Sequence, residues 1–389
     1  MFKGLRPPQE LPPVPTMASP LQTLHAAGQS LWLDYIDRLI LHNGELTRRI
    51  RDDALTGMTS NPTIFEKALA QGSAYDAQIS ALTSVPSAWE LFELIETTDV
   101  RDACDLFAGV FAATKGADGF VSIEVSPGAA NDAEATIAEA HRLWNTVARA
   151  NVMIKVPGTV QGAIALRRLI AEGINVNVTL LFAVDAHAHI IDAYLGGLED
   201  RLHAGGALSA VSSVASFFVS RVDSEVDARL GKIGTPAATG LLGKAAVANA
   251  VLAYALFLER FSGPRWEKLA AAGARVQRPL WASTGTKNVA YSDVKYVESL
   301  IGPDTVNTLP PATIEAFRDH GKVARTIDAD VAGARQSIAA LAAAGVDLNA
   351  VTDKLLAEGL SSFQKSFDTL IAGLEQKAAA LGRPVAKGR

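Results

Sequence analysis

Eight short apolar segments alternate with Ala-rich segments of helical period, and this alternation limits the folds open to the chain. The apolar segments are residues 30–35, 57–60, 120–125, 152–156, 174–181, 211–219, 279–283 and 304–308. Strands that alternate with helices pair in parallel through right-handed crossovers. Eight such units in 389 residues predict an α/β fold, a (β/α)8 TIM barrel, rather than an open doubly wound sheet. No GxGxxG motif follows the first strand, which argues against a dinucleotide-binding fold.

The segments between and after the predicted strands indicate a single barrel domain that carries extra helices. Connections 71–119 and 221–278 are too long for one helix each and are predicted to be helical insertions. Residues 348–381 predict one or two helices that pack over the barrel. Six of the first 20 residues are proline, so residues 1–20 are predicted to be a disordered tail, with Met17 as an alternative start. Residues 21–389 are then a single barrel domain.

Composition excludes several classes of function. The net charge of −5 argues against general binding to nucleic acid or to anionic membranes. Cys104 is the one cysteine, so neither an intramolecular disulfide nor a cysteine metal cluster is expected. No apolar run has transmembrane length and no secretory signal opens the chain, so a reducing cytoplasm is the expected location. His187 and His189 are predicted to form a surface pair on a helix rather than a metal site.

Lys155 is the most unusual residue of the predicted strands. It lies inside the apolar run 151–157, where burial disfavours the charged form of an amine. A neutral lysine can attack a carbonyl carbon. The alternative interpretation is a structural lysine held by a salt bridge in the core.

Seven of the eight predicted strands carry a polar or ionisable residue at or just beyond the carboxyl end, where barrel enzymes place their active sites. These residues are Asp34, Asn61, Glu124, Lys155, the series Asn175, Asn177 and Thr179, then Ser216 with Arg221, and Ser283 with Lys287. Any one of them has a structural explanation, such as a helix cap for Asp34. The joint pattern predicts a shared active site.

The residue types indicate Schiff-base chemistry. Lys155 can form an imine with a ketone, and the iminium accepts the electrons of a breaking carbon–carbon bond. Asp34 is a candidate base for the β-hydroxyl proton, and Glu124 can move protons through a bound water. No metal or cofactor is needed, because the imine replaces a Lewis acid.

Binding roles follow for the polar residues that remain. Asn61 and Asn177 can hold substrate hydroxyls. Arg221, Lys287 and the backbone of the Gly285 loop can bind a phosphate, although Lys287 also fits an ordinary loop lysine.

Taken together, these residues resemble the transaldolase family of class I aldolase-type barrels. The matching segments are residues 31–36, 57–67, 121–127, 154–159, 173–182, 216–223 and 282–288, in the family's order. The Ser-Thr-Gly-Thr-Lys segment that includes Ser283 and Lys287 is similar to the longer bacterial branch, whereas the shorter branch has an arginine after Ser-Phe.

The resemblance implies a role for each matching residue. Lys155 matches the Schiff-base lysine, and Asp34 matches the acid/base carboxylate. Glu124 and Thr179 match the pair that holds the catalytic water. The resemblance further implies that seven residues contact the substrate: Asn61, Asn177, Ser216, Phe218, Arg221, Ser283 and Lys287.

The implied reaction transfers a dihydroxyacetone unit from sedoheptulose 7-phosphate to glyceraldehyde 3-phosphate, giving erythrose 4-phosphate and fructose 6-phosphate in the pentose phosphate pathway. One alternative is a fructose 6-phosphate aldolase, but relatives with that activity tend to carry Tyr at the position of Phe218. Another is a non-catalytic phosphosugar-binding barrel. The chain is expected to be a monomer or homodimer, without the sugar-phosphate isomerase domain fused in some relatives.

Overall fold

Eight parallel strands close into a barrel in the computed structural model, which describes residues 18–70, 72–84 and 87–385. Each strand pairs with the next along the chain, and the last pairs with the first. The strands are β1 (Gln29–Asp34), β2 (Leu55–Thr59), β3 (Phe120–Glu124), β4 (Val152–Pro157), β5 (Val176–Leu181), β6 (Ser213–Phe218), β7 (Arg278–Ala282) and β8 (Thr305–Leu309). The predicted (β/α)8 barrel is confirmed, and every strand begins and ends within two residues of its predicted position.

Helices surround the barrel and fill both long connections. Among the described residues they are α1 (Pro20–Ala26), α2 (Arg38–His42), α3 (Glu45–Asp52), α4 (Pro62–Ala70), α5 (Asp76–Ala81), α6 (Ala88–Ala113), α7 (Ala133–Val147), α8 (Val160–Glu172), α9 (Val184–His203), α10 (Ser220–Ile233), α11 (Pro236–Thr239), α12 (Ala245–Arg260), α13 (Gly263–Ala271), α14 (Lys295–Glu298), α15 (Pro311–His320), α16 (Val331–Ala343) and α17 (Leu348–Ala380). The predicted helical insertions correspond to α5 and α6, and to α10 through α13. The predicted terminal helices form the single helix α17, which packs on α4, α6, α10 and β5.

The predicted tail covers residues 1–20. Residues 1–17 of it, which include Met17, lie outside the described residues. The last residue of the tail was assigned wrongly, because Pro20 is the first residue of α1. A proline fits there since the first turn of a helix needs no backbone N–H donor. Ser19 and Gln22 complete the helix start with a reciprocal capping box.

The barrel interior is tightly filled at β1 and β2. Side chains of a strand alternate between the interior and the helix layer. Trp32 of β1 is fully buried and pairs in register with Gly57 of β2. A Cβ atom on Gly57 would lie 2.5 Å from the indole ring, so only glycine fits beside Trp32. The local alternation of a large and a missing side chain therefore sets the width of this part of the barrel.

Two non-glycine residues near the carboxyl ends of strands have left-handed backbone conformations. Leu180 in β5 has φ 60°, at a point where the pairing of β5 with β6 changes register. Ser283 directly after β7 has φ 55°. Such conformations cost energy for residues other than glycine and concentrate at functional sites. Both lie at the end of the barrel where the active site is predicted.

The prediction of a surface histidine pair is wrong for His187. The His187 side chain is fully buried in the first turn of α9, 5.9 Å from the ring of Phe217. Burial lowers the pKa of His187 to about 4, so its ring is neutral at pH 7. His189, two residues on, is exposed on the other side of the helix.

Within the described ranges, no single helix is long and apolar enough to cross a membrane, although α12 and α13, bent by 70°, meet the length and composition criteria together.

Candidate active site

A pocket of about 270 Å³ opens at the carboxyl end of the barrel. Eight of the predicted site residues line it: Asp34, Asn61, Lys155, Ser216, Phe218, Arg221, Ser283 and Lys287. Three more, Glu124, Asn177 and Thr179, are buried on the neighbouring strands β3 and β5. The structure thus brings predicted residues from seven strands or their following loops to one end of the barrel.

Lys155 lies at the floor of this pocket with 5% of its surface exposed. Its Nζ donates hydrogen bonds to the backbone oxygen of Ser60, at 2.8 Å, and to Oε2 of Glu124, at 2.9 Å. Glu124 is its direct partner in the register of β3 and β4. Lys155 therefore has the salt bridge expected of a structural lysine, but its position in the pocket also leaves it within reach of a ligand.

Two opposing effects act on the pKa of the buried Glu124 carboxylate. Burial raises the pKa of Glu124, and the nearby charge and hydrogen bond of Lys155 oppose that rise. The net shift is upward. A carboxyl group whose pKa lies closer to neutrality is a better proton carrier than an exposed one.

Asp34 ends β1 and faces the same pocket. Thr59 Oγ1 donates a hydrogen bond to Asp34 Oδ1 at 2.9 Å, and Thr308 lies 2.7 Å from the same hydroxyl. Burial raises the pKa of Asp34, while the charge of Lys155 and the Thr59 hydrogen bond lower it in part. The Asp34 pKa is raised overall, as suits a general base.

Asn177 is fixed between two serines inside the barrel. Its amide donates to Ser122 Oγ at 3.0 Å, and its Oδ1 accepts a hydrogen bond from Ser216 Oγ at 2.6 Å. On the same strand, Thr179 Oγ1 is buried and has no hydrogen-bond partner among the described residues. A buried hydroxyl without a partner is typical of a place where water or a ligand binds.

Asn61 both caps a helix and lines the pocket. Its Oδ1 accepts a hydrogen bond from the backbone N–H of Ile64 at 3.0 Å, in the first turn of α4. This contact fixes the side chain, so its amide group is the part left for a ligand.

Arg221 and Lys287 are also among the cations that line the pocket. Arg221 lies in the first turn of α10 with its guanidinium 5.4 Å from the centre of the Phe218 ring. Neither Arg221 nor Lys287 forms an ion pair or a side-chain hydrogen bond with any residue in the described ranges. Ser283 and Gly285 line the same pocket. This arrangement can bind an anion such as phosphate.

The sequence analysis gave no role to several pocket residues, among them Thr63, Lys67, Thr308 and Phe363, and it misplaced Asn175. Thr308 at the end of β8 was detectable as a polar strand end, whereas Phe363 comes from the distant helix α17 and had no local signal. Asn175 precedes β5, and its amide donates to the backbone oxygens of Ala150 and Val152. It is therefore at the amino end of the barrel and does not reach the pocket.

No group of three or more His, Cys, Asp or Glu side chains in the described part of the chain is arranged to hold a metal ion.

Comparisons with known proteins agree on one family. The family model described as transaldolase/fructose-6-phosphate aldolase matches residues 31–374. A transaldolase of Frankia alni is 48% identical over 94% of this chain and 99% of its own length. A transaldolase of Mycolicibacterium smegmatis is 50% identical over 90% of this chain and 95% of its own. One from Thermobifida fusca is 49% identical over 94% and 100% of the two chains.

Proposed function

The chain belongs to the transaldolase/fructose-6-phosphate aldolase family, and from this premise we propose that Lys155 is the nucleophile that forms a Schiff base with a ketose phosphate. The protein is an enzyme, a transferase of dihydroxyacetone groups, and its substrates are sugar phosphates. The observation that carries the Lys155 assignment is its position at the floor of the pocket, where its Nζ also lies 2.9 Å from the carboxylate of Glu124.

Glu124 removes the proton that blocks attack. It accepts one proton from the Lys155 ammonium, which leaves a neutral amine facing the ketose carbonyl. The amine adds to the C2 carbon and forms a carbinolamine. Glu124 then gives its proton to the carbinolamine hydroxyl, which leaves as water, and the iminium forms. The unpartnered hydroxyl of Thr179 supports a water-binding role at this step.

Asp34 starts the cleavage. Its carboxylate takes the proton of the C4 hydroxyl, the C3–C4 bond breaks, and the electron pair moves into the iminium to give an enamine on Lys155. The aldose product leaves with the phosphate. Asn61 and Asn177 orient the hydroxyl groups of the three-carbon unit, and Ser216 holds Asn177 in place. The same steps in reverse join the unit to an acceptor aldehyde, with glyceraldehyde 3-phosphate and sedoheptulose 7-phosphate as acceptor and donor.

Arg221 and Lys287 bind the substrate phosphate. Two observations support this role: neither side chain has a carboxylate partner in the described ranges, and both line the pocket together with Ser283. A phosphate bound there neutralises two cations that have no carboxylate partner among the described residues.

Phe218 favours transfer over release of free dihydroxyacetone. Its ring packs against Phe182 at 5.2 Å between centres and below Arg221. A phenyl ring has no hydroxyl with which to protonate the enamine. The enamine therefore survives until an aldehyde acceptor enters the pocket.

The distinguishing experiment compares turnover with and without an acceptor. We expect fructose 6-phosphate to yield glyceraldehyde 3-phosphate at a substantial rate only when erythrose 4-phosphate is added. Lys155→Ala abolishes this activity, while Lys268→Ala on α13 leaves it unchanged. Release of free dihydroxyacetone at the same rate without acceptor would identify an aldolase instead. No turnover under either condition would support a binding protein.

We propose in addition that residues 21–389 act as one domain, as a monomer or homodimer in the cytoplasm. The single cysteine, Cys104, is buried and suits a reducing compartment. The net charge of −5 gives no basis for a nucleic-acid or anionic-membrane partner.

A further inference from the structure

Glu96 is a buried carboxyl group with no role in the chemistry described so far. It lies on α6 with 5% of its surface exposed. It forms no hydrogen bond or ion pair with a side chain or backbone group of the described residues. An isolated carboxylate in such a position is costly, so the group needs either a proton or a polar neighbour.

A small cavity joins Glu96 to the proposed proton carrier. The cavity lies between β3, α6, α7 and α17, and Glu96 and Glu124 both line it. Its volume of about 10 Å³ is room for one water molecule. Glu124 uses Oε2 for Lys155, so its Oε1 is the oxygen left for a contact in this cavity.

The charges around the cavity leave Glu96 without a cation of its own. The charged groups that act on Glu96 are Glu93 on its own helix, Glu124, Glu139 and Lys155. Arg142 bonds Glu93 and Glu139, and Lys155 bonds Glu124. Burial, followed by the charges of Glu139, Glu124 and Glu93, raises the pKa of Glu96 well above its usual range. Burial, the lack of a cation partner of its own and the three nearby carboxylates all favour the protonated form of Glu96.

We propose that Glu96, as a neutral carboxylic acid, donates a hydrogen bond through one water to Oε1 of Glu124 and so keeps that carboxylate ionised and aimed at Lys155. This inference rests on the proposed role of Glu124. Glu96 acts as a positioning residue, because it lines the small cavity and not the sugar pocket. A protonated carboxyl group is a strong donor to a neighbouring carboxylate, and this donation favours the ionised form of the acceptor.

The test combines two kinds of substitution at Glu96 with a control in the same cavity. Glu96→Gln keeps a neutral donor of the same length, and Glu96→Leu removes it. Glu93→Gln removes a carboxylate that Arg142 already compensates, and serves as the control. For each variant, kcat and KM for fructose 6-phosphate with erythrose 4-phosphate are measured across pH, after folding is checked by near-ultraviolet circular dichroism.

We expect Glu96→Leu to lower kcat at least about tenfold with KM unchanged. We also expect it to move the acidic limb of the kcat profile upward by about one pH unit, because Glu124 loses a donor to its ionised form. Glu96→Gln stays within about threefold of the parent enzyme with an unchanged acidic limb, and Glu93→Gln behaves like the parent. Normal kcat in Glu96→Leu overturns the proposal. A loss in Glu96→Gln as large as in Glu96→Leu also overturns it, since it means that the group works as an ionised carboxylate.

An infrared measurement keeps the proposal testable if the leucine variant fails to fold. We expect a protonated-carboxyl band in the folded parent protein in neutral buffer, which Glu96→Gln removes and Glu93→Gln retains. Absence of that difference shows that Glu96 is ionised and contradicts the proposal. Borohydride trapping separates this failure from failure of the proposed function. An adduct on Lys155 in the parent enzyme leaves the function intact whatever the Glu96 variants show.

Discussion

Lys155 and Glu124 share one buried hydrogen bond, and each depends on the other for its chemical role. The lysine compensates a carboxylate that burial would otherwise keep protonated. In the proposed mechanism, the carboxylate accepts the proton that the lysine must lose before it attacks. Removing one partner of a buried pair leaves the other charged and uncompensated. The pair is thus a unit whose members cannot be assessed by single substitutions alone.

The proposed role of Asp34 can be tested without replacing Asp34 itself, because Thr59 donates a hydrogen bond of 2.9 Å to its carboxylate. Thr59→Val removes a donor that favours the ionised carboxylate, so the pKa of Asp34 rises further. Since the base works in its ionised form, activity is lost at a higher pH than in the parent enzyme. We expect the acidic limb of the kcat/KM profile to move upward by about one pH unit.

Thr56→Val on the same strand is the matched control. The Thr56 hydroxyl contacts the backbone oxygen of Leu31, not Asp34. An acidic limb that stays in place in Thr59→Val, or that moves equally in both variants, would show that Thr59 does not tune the base.

At the scale of elements, the strands position the site and the neighbouring helices complete it. The pairing of β3, β4 and β5 sets Glu124, Lys155 and Asn177 side by side. Helix α17 then contributes Phe363 to the pocket wall, and its Ser366 accepts a hydrogen bond from Thr63 of α4 at 2.9 Å. The terminal helix is therefore part of the pocket wall and not only a cover for the barrel.

The fit of Trp32 against β2 gives a prediction for the barrel itself. Gly57→Ala places a Cβ atom 2.5 Å from the indole ring, which must move or force the strands apart. We expect a loss of about 1–3 kcal/mol in the free energy of unfolding, measured by urea denaturation.

Gly109→Ala in α6 is the control, because nothing lies within 4 Å of its added Cβ. There the alanine should stabilise the protein by about 0.5–1 kcal/mol through helix propensity. Equal stability of the two variants would contradict the close contact between β1 and β2.

At the scale of the whole molecule, a chain with net charge −5 must attract anionic substrates to a local cationic site. We propose that Arg221 and Lys287 supply that attraction, which salt screens because the Debye length is about 10 Å at 0.1 M ionic strength. We expect kcat/KM for glyceraldehyde 3-phosphate as acceptor to fall as salt is added, whereas the value for unphosphorylated glyceraldehyde changes little. An equal decrease for both acceptors would show that the two cations do not bind the phosphate.

The sequence predicts the barrel well because its signals are local. The Ala-rich helical periods and the apolar runs each mark one element, and Lys155 is conspicuous within one strand. Predictions fail where distant parts of the chain decide the outcome. Phe363 reaches the pocket from the far end of the sequence, and Glu96 lines the same cavity as Glu124 only because α6 packs against β3. His187 is buried by the packing of α9 on Phe217, which no short pattern reveals.

The central claim is that Lys155 carries the substrate as an imine, and chemical trapping tests it most directly. The protein is incubated with fructose 6-phosphate, reduced with borohydride and digested for mass spectrometry. We predict a three-carbon dihydroxyacetone adduct on Lys155, absent from Lys155→Ala. An adduct on a different lysine, or none at all in folded protein, would contradict the mechanism and leave Lys155 as a structural partner of Glu124.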